Sequence, residues 1–248
     1  MERNKMINGK YLYGIVDGMH DFHFGNTALF SKQAYAIPYK DICAIVSNVP
    51  FKDMKPDADT ITSHQIVIEE TRNQGTTIPV RFGIMFKSDE GVKQMLVKSY
   101  KDLKSKLTKF KGKDEFGLKI VIDTKDLKKI SVGTQNNPAI KKIKKEIDSS
   151  GKGTGYFLKM KMDEAVRNET YRKIEQLSGE IHSEISKTSQ ESCLLRSDFD
   201  QIVLNASYLI DKEQTSKFHA KIDTLRGRYR QEGLMFHLSG PWAPYSFC

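Results

Sequence analysis

The stretch Phe116-Gly117-Leu118-Lys119-Ile120-Val121-Ile122 places apolar side chains at 116, 118, 120 and 122, with Gly117, Lys119, Val121 and Asp123 between or beside them. A period of two predicts a β-strand. The period then changes. Leu158, Met162, Val166, Thr170, Ile174, Leu177, Ile181 and Ile185 recur every three or four residues, which predicts one long amphipathic helix. Cys193-Leu194-Leu195 and residues 202–210 predict a strand pair turning at Asp198-Phe199-Asp200. Phe218, Ile222, Leu225 and Tyr229 predict a second helix that stops at Gly233. Leu234, Phe236 and Leu238 predict a last strand, ended by Gly240-Pro241. The order βαββαβ is the split βαβ pattern of a ferredoxin-like domain, with two helices on one face of an antiparallel sheet. The Lys-, Asn-, Ser- and Gly-rich residues 131–155, with a helical island at 138–147, predict a mobile insertion in that domain.

Upstream, Tyr11-Leu12-Tyr13-Gly14-Ile15-Val16 predicts a half-buried strand. Tyr35-Ala36-Ile37 and residues 42–46 predict two strands joined at Pro38-Tyr39-Lys40-Asp41. A helix capped by Thr60 carries Ile61, His64, Val67, Ile68 and Thr71 on one side and stops at Gly75 in the C′ position. Ile78-Pro79-Val80-Arg81-Phe82 predicts a strand, and Pro79 confines it to an edge or to a strand start. A helix with Val92, Leu96, Leu103, Leu107 and Phe110 ends near Gly112. The chain is thus predicted to be α+β with two domains. An N-terminal α+β domain covers 1–112, and a modified ferredoxin-like domain covers 113–248 with its insertion around 131–155.

The chain has 248 residues, is 38% hydrophobic and 29% charged, and is globular by composition. Its start leads into no apolar run, and no stretch approaches the ~20 apolar residues of a membrane span. Cys43, Cys193 and Cys248 form no CxxC pair, so they read as reduced thiols of a cytoplasmic protein. The net charge of +9 concentrates in lysines at 98–113 and 125–145. These alternate with apolar residues at helical spacing, with few aromatics or arginines among them. Solvated helix faces explain them better than a nucleic-acid site does.

Residue sets that could carry chemistry fail on spacing. Ser150-Gly151-Lys152-Gly153-Thr154-Gly155 lacks the Walker A glycine and hydroxyl positions and follows a helix, so it reads as a flexible linker. His20, His23, Asp17 and Asp21 lie in one loop with no second half at zinc spacing. His64 falls on the apolar side of its helix, where a hydrogen-bonded structural imidazole is expected. Asp198 and Asp200 read as turn formers. No catalytic set, cofactor or metal is expected. An enzyme built on His64 and Arg81 would require a pocket joining the two.

The last nine residues, Gly240-Pro241-Trp242-Ala243-Pro244-Tyr245-Ser246-Phe247-Cys248, hold the only tryptophan and two of the seven prolines. A stiff aromatic terminus docks onto its own chain or onto a partner. Three segments together resemble the gas vesicle accessory proteins of the GvpF/GvpL family. They are the opening strand at Tyr11, the run Thr77-Ile78-Pro79-Val80-Arg81-Phe82-Gly83-Ile84-Met85-Phe86 after His64, and Leu204-Asn205-Ala206-Ser207-Tyr208-Leu209-Ile210 joined to the closing tail. Ala243 stands where the family tail commonly has proline. The resemblance implies a two-domain α+β protein with a modified ferredoxin fold in its second domain. It also implies a non-enzymatic role in building gas vesicles, in the cytoplasm and at the vesicle. The implied partners are the hydrophobic shell protein GvpA and other accessory proteins, not nucleic acid or lipid membrane. Pro79, Arg81, Phe82, Gly240, Pro241, Trp242, Pro244 and Tyr245 are the residues expected to serve as partner-binding or structural motif. Of these, Arg81 is expected to pair internally, and Trp242 and Tyr245 to lock the tail onto the second domain. The rival reading is a basic ferredoxin-like nucleic-acid-binding module. It would need an RNP-type aromatic motif, which Leu118-Lys119-Ile120-Val121 and Leu204-Asn205-Ala206-Ser207 lack.

Overall fold

The computed structural model describes residues 8–18, 22–24, 28–123, 125–127, 130, 133, 136–149, 151–197, 199 and 201–248, with the side chains of Lys152 and Gly153 excepted. The protein mixes helices with two antiparallel sheets and divides into two compact units. One comprises residues 1–115 with 240–248, and the other residues 116–239.

In the first unit, β1 (Asn8–Asp17) is the central strand. It pairs antiparallel with β3 (Ile42–Pro50) on one side and with the short β4 (Thr77–Pro79) and β5 (Met85–Phe86) on the other. β2 (Ala34–Tyr39) completes the order β2-β3-β1-β4. Helix α1 (Ala58–Gln74) puts His64, Val67, Ile68 and Thr71 against the sheet. There Val67 and Ile68 share a core with Tyr11, Tyr13, Cys43, Ile45 and Val49. The intervening Leu12, Ile15, Ala44 and Val46 are equally buried. A second helix, α2 (Asp89–Phe110), also contacts β1, β2 and β4, burying Val92, Leu96, Leu107 and Phe110 as their spacing predicts.

Several local expectations change. The N-cap of α1 is Asp57, not Thr60. Asp57 accepts the Thr60 N–H while the Thr60 hydroxyl accepts the Asp57 N–H, a reciprocal capping box that places Thr60 at N3. Gly75 ends the helix in extended backbone (φ −177°), not in the left-handed C′ conformation. Its missing side chain is required by proximity instead, because a Cβ there would lie 2.8 Å from Val16 Cγ2. Pro38, expected in a turn, lies inside β2, where an edge strand tolerates it. The strand expected over 78–82 stops at Pro79.

The second unit holds the sheet order β7-β8-β6-β9, from β6 (Lys113–Ile122), β7 (Glu191–Leu194), β8 (Ile202–Asp211) and β9 (Leu234–Trp242). Its core joins Phe116, Leu118, Ile120 and Ile122 to Ile174, Ile181 and Ile185 and to Phe218, Ile222 and Leu225. These residues come from β6, from the 35-residue α4 (Lys152–Ser186) and from α5 (Thr215–Arg228). Glu184 of α4 accepts from Lys221 and Arg228, tying the two helices together. Residues 131, 132, 134, 135 and 150 of the expected mobile insertion lie outside the described residues, and its described part is largely helical. Helix α3 (Pro138–Asp148) packs on α4 and buries Ile140. The Gly-Lys-Gly segment read as a linker opens α4, with Gly151 at its N-cap, while Ser150 lies outside the described residues. Asp198 and Asp200 also lie outside the described residues. The last strand runs through Gly240-Pro241 instead of ending there. β9 is an edge strand, so the missing proline N–H interrupts no central ladder.

Ile120 is fully buried, whereas its neighbour Lys119 is exposed. Ile120→Ala is expected to lower the unfolding free energy by about 2–5 kcal/mol in a denaturant titration. Lys119→Ala is expected to stay within about 0.5 kcal/mol of the unmodified protein.

Candidate functional site

The residues singled out in the sequence converge on the first unit. Tyr11 and Tyr13, two apart on β1, point to one face and meet His64 from α1. His64 is 2% exposed, and both ring nitrogens are engaged. Nε2 lies 3.0 Å from the Val80 carbonyl, which can only accept, so Nε2 carries the proton. Nδ1 then accepts from the Tyr11 hydroxyl at 2.9 Å. That hydroxyl in turn accepts the Gly83 N–H at 3.1 Å. Tyr13 forms a parallel link, accepting the Leu29 N–H at 3.1 Å, with its oxygen 2.8 Å from Ser47 Oγ.

These bonds explain why the strand ends early. Val80 N–H still bonds the Tyr13 carbonyl at 2.8 Å, but the chain then turns. The imidazole and the Tyr11 hydroxyl hold its polar backbone at Val80 and Gly83, and Gly83 adopts φ +94°. Phe82 tucks inward, with ring centroids 5.8 Å from Tyr11 and 5.7 Å from His64. Pro79 is buried opposite Gly14. Arg81 is exposed and makes no hydrogen bond or ion pair among the described residues, which corrects the expectation of an internal partner.

The tail belongs to this same unit, not to the second one. Ala243 is part of the core around Tyr11 and Tyr13, and Tyr245 packs against it. Ser246 donates to Glu115 twice, from its N–H at 2.8 Å and its hydroxyl at 2.6 Å. Tyr245 Oη reaches to 3.4 Å from His64 Nε2, and burial pushes its phenol well above the usual range. Pro244 and Phe247 are buried, while Gly240, Pro241 and Trp242 are exposed. The structure therefore brings Phe82 and Tyr245 against one core, and Pro79 and Pro244 are buried in the same unit. Arg81 and Trp242 stand at its surface.

Beside the tail lies a groove of about 660 Å³. Its walls are the outer face of α1, with Ile61, Gln65, Ile66 and Glu69, and the tail, with Trp242 and Tyr245; Glu70, Asn73 and Glu115 also line it. Ile61, expected in the buried stripe, is 44% exposed here, and Ile66 and Trp242 are 39% and 46% exposed. Sequence reading missed Ile66, Glu69 and Glu115. The signal was present for Ile66. It lies two positions after His64, roughly 200° around the helix, and so cannot share the buried stripe.

Chemically, the site offers apolar surface and acceptors. Arg72 donates to Glu69 Oε2 through Nε (2.9 Å) and Nη2 (2.7 Å), and to Asp114 through Nη1 (2.8 Å). Glu69 Oε1 is buried and has no partner among the described residues. The groove is lined by neither His64 nor Arg81. Of the histidine and aspartate loop set, Asp17 pairs with Lys104 at 2.6 Å and the His23 backbone bonds Gln74, while His20 and Asp21 lie outside the described residues.

Burial drives the His64 pKa down to about 4, against a smaller opposing effect of the Val80 carbonyl. The folded protein thus binds fewer protons than the unfolded chain between about pH 6.5 and pH 4. Stability from this group is complete above pH 6.5 and is lost as pH falls to 4, by about 3 kcal/mol. In urea titrations from pH 7.5 to 4.5, His64→Gln is expected to be less stable at neutral pH but to lose less on acidification. An equal acid loss in both proteins would remove His64 as the source.

A family model described as Gas vesicle synthesis protein GvpL/GvpF matches residues 9–248. Gas vesicle protein F of Haloferax mediterranei is 25% identical over 246 residues, covering 98% of this chain and 94% of that protein. Gas vesicle protein L of a Streptomyces species is 22% identical, covering 86% of this chain and 77% of that protein. The crystal structure of the gas vesicle protein GvpF from Anabaena superposes with a TM-score of 0.85 at 20% identity, covering 97% of this chain and 98% of that one. GvpF from Microcystis aeruginosa gives a TM-score of 0.78, also at 20% identity, covering 96% and 98%.

Proposed function

The chain belongs to the GvpL/GvpF family of gas vesicle synthesis proteins, and from that premise we propose that it supports vesicle formation by binding the hydrophobic shell protein GvpA. A gas vesicle role follows from the family itself, which is one of structural and accessory proteins and not a known enzyme family. The finer reading is contact with GvpA, and with other accessory proteins, in the cytoplasm and at the growing vesicle. The match over nearly the whole chain is the observation that carries it. No described helix is long and apolar enough to cross a membrane.

The physical need is plain. A small subunit with a large apolar face aggregates unless that face is covered before assembly. A charged protein that keeps a limited apolar surface open can cover it transiently. The exposed Ile61, Ile66 and Trp242 beside the tail supply such a surface. In this reading Trp242, Tyr245, Gly240, Pro241 and Pro244 present or shape the contact, while Pro79 and Phe82 support it from beneath. Arg81, exposed and unpaired among the described residues, is available to a partner. The second unit serves as a ferredoxin-like scaffold, a reading supported by its strand order β7-β8-β6-β9 and its two long core helices. The nucleic-acid alternative is not favoured by the family.

Co-purification with GvpA tests the proposal. The unmodified protein is expected to retain GvpA, and Trp242→Ala to lose most of it. Arg81→Ala should leave the unfolding free energy within about 0.5 kcal/mol of the unmodified protein, because the side chain is exposed, while weakening GvpA retention. Failure of the unmodified protein to retain any GvpA would overturn the reading.

A further inference from the structure

We propose that the outer edge of β7 pairs antiparallel with β7 of a second copy of this chain, joining their two four-stranded sheets into one. The inference goes beyond contact with GvpA and stands on the second unit alone.

This edge is the unblocked one. Among the described residues, four strands end a sheet order: β2 and β4 in one sheet, β7 and β9 in the other. Three of them contain a proline, Pro38 in β2, Pro79 in β4 and Pro241 in β9. A proline removes a donor from an edge and hinders the addition of a further strand. β7, Glu191-Ser192-Cys193-Leu194, has neither proline nor lysine, and it pairs with β8 alone among the described residues. Leu194 and the following Leu195 are 63% and 41% exposed.

Its backbone points the right way. The Leu195 N–H bonds the Asn205 carbonyl of β8 at 2.8 Å. Such bonds alternate along a strand, so Glu191 and Cys193 also turn their backbone groups to β8, while those of Ser192 and Leu194 point outward. Ser192 Oγ lies 3.0 Å from Ser186 Oγ of α4, and Leu194 lines a cavity with Ile174 and His182 of the same helix. Cys193 therefore points to the opposite face of the sheet.

A second copy fits because the strand is its own complement. A two-fold axis at Cys193 sets Ser192 opposite Leu194 of the second copy, and Leu194 opposite its Ser192. Both pairs then exchange two N–H···O bonds, and every outward group of β7 is used. Such an interface is isologous and closes as a dimer instead of growing into a fibre. An axis at Leu194 would need an outer edge at Arg196, whose carbonyl instead accepts from the Asn205 side chain at 3.4 Å. Charge agrees with the axis at Cys193. The two copies of Glu191 stand at least about 13 Å apart, beyond the Debye length of about 8 Å. Each comes beside the end of the other strand, where Arg196 is exposed. The helices also fit. α4 packs on β8, and the two β8 strands of the joined sheet lie three spacings apart, about 14 Å, against a helix diameter of about 10–12 Å.

Cys193 reports the pairing. It meets its own copy in a non-hydrogen-bonded pair, with Cα atoms about 4.5 Å apart, a separation that a disulfide spans. Position 192 does not meet itself. The test uses two full-length single-thiol proteins, both carrying Cys43→Ala and Cys248→Ala. One keeps Cys193, and the other adds Cys193→Ser and Ser192→Cys. Treated with diamide at about 0.1 mM protein, a concentration suited to a small interface, the first is expected to form a disulfide dimer at least about tenfold faster than the second. Sedimentation equilibrium of the unmodified, reduced protein is expected to show monomer and dimer in exchange. Leu194→Pro removes an outward N–H and no bond to β8, so it should give a folded monomer by circular dichroism. Leu194→Lys leaves the backbone intact and places a charge on the edge, and it should also give a monomer. Equal crosslinking at 192 and 193, a reduced protein that stays monomeric up to about 1 mM, or a dimer that survives both Leu194 variants would each overturn the proposal. A monomer whose GvpA retention falls with Leu194→Lys would give the edge to GvpA and also overturn it. A dimer that retains no GvpA would leave the pairing standing and remove the assembly reading.

Discussion

A neutral imidazole sealed between two hydrogen bonds is the constraint on which the N-terminal unit depends. His64 bonds the Val80 carbonyl on one side and the Tyr11 hydroxyl on the other, and Tyr11 also takes the Gly83 N–H. Three elements distant in sequence, β1, α1 and the turn after β4, are thereby registered against one another. The turn needs them. Once the chain leaves the ladder after the Val80 N–H, the Val80 carbonyl and the Gly83 N–H have no strand partner, and buried peptide groups without partners are costly. Side chains supply those partners, and they do so with a histidine that burial keeps uncharged.

The tail exploits the same core. Its prolines remove donors and fix φ, so it cannot be held by a ladder of backbone bonds. It is held by contacts of other kinds: Ala243 in the core, Tyr245 over His64, and two hydrogen bonds from Ser246 to the buried Glu115. Glu115 is only 6% exposed, so its carboxylate would be expensive to bury without those donors. The stiffness that composition alone shows becomes, in three dimensions, a strap that carries Trp242 to the edge of the groove.

Much of the fold was legible in the sequence because periodicity reports burial directly. The alternation at 116–122 and the stripes at Val92, Leu96, Leu107 and Phe110, and at Ile174, Ile181 and Ile185, correspond to strand β6 and to the buried faces of α2 and α4. Apart from the α1 cap, which is local, the errors share a cause: each depended on a long-range partner. Asp57, not Thr60, caps α1 because a reciprocal pair beats a single hydroxyl. Gly75 is needed because Val16 approaches it, not because of its φ. The residues after Pro79 look like more strand, since Val80 and Phe82 favour sheets, but His64 and Tyr11 turn them inward. The insertion looks mobile from its lysines and glycines, yet Ile140 and its neighbours find α4. The tail was assigned to the nearer unit in sequence, whereas its anchors, Glu115 and His64, belong to the first. The site was half visible. Trp242 and Tyr245 stood out by type. The groove they border requires knowing which face of α1 the sheet leaves uncovered.

That uncovered face explains the composition of α1. His64, Val67, Ile68 and Thr71 suffice to pack it on the sheet, so Ile61 and Ile66 add nothing to that contact. On a helix shaped by stability alone, polar side chains at those positions would be better solvated. Arg72 draws Glu69 and Asp114 together and holds one oxygen of the Glu69 carboxylate, while the other is buried. The apolar strip of Ile61 and Ile66 is therefore surface that the packing of α1 on the sheet does not require.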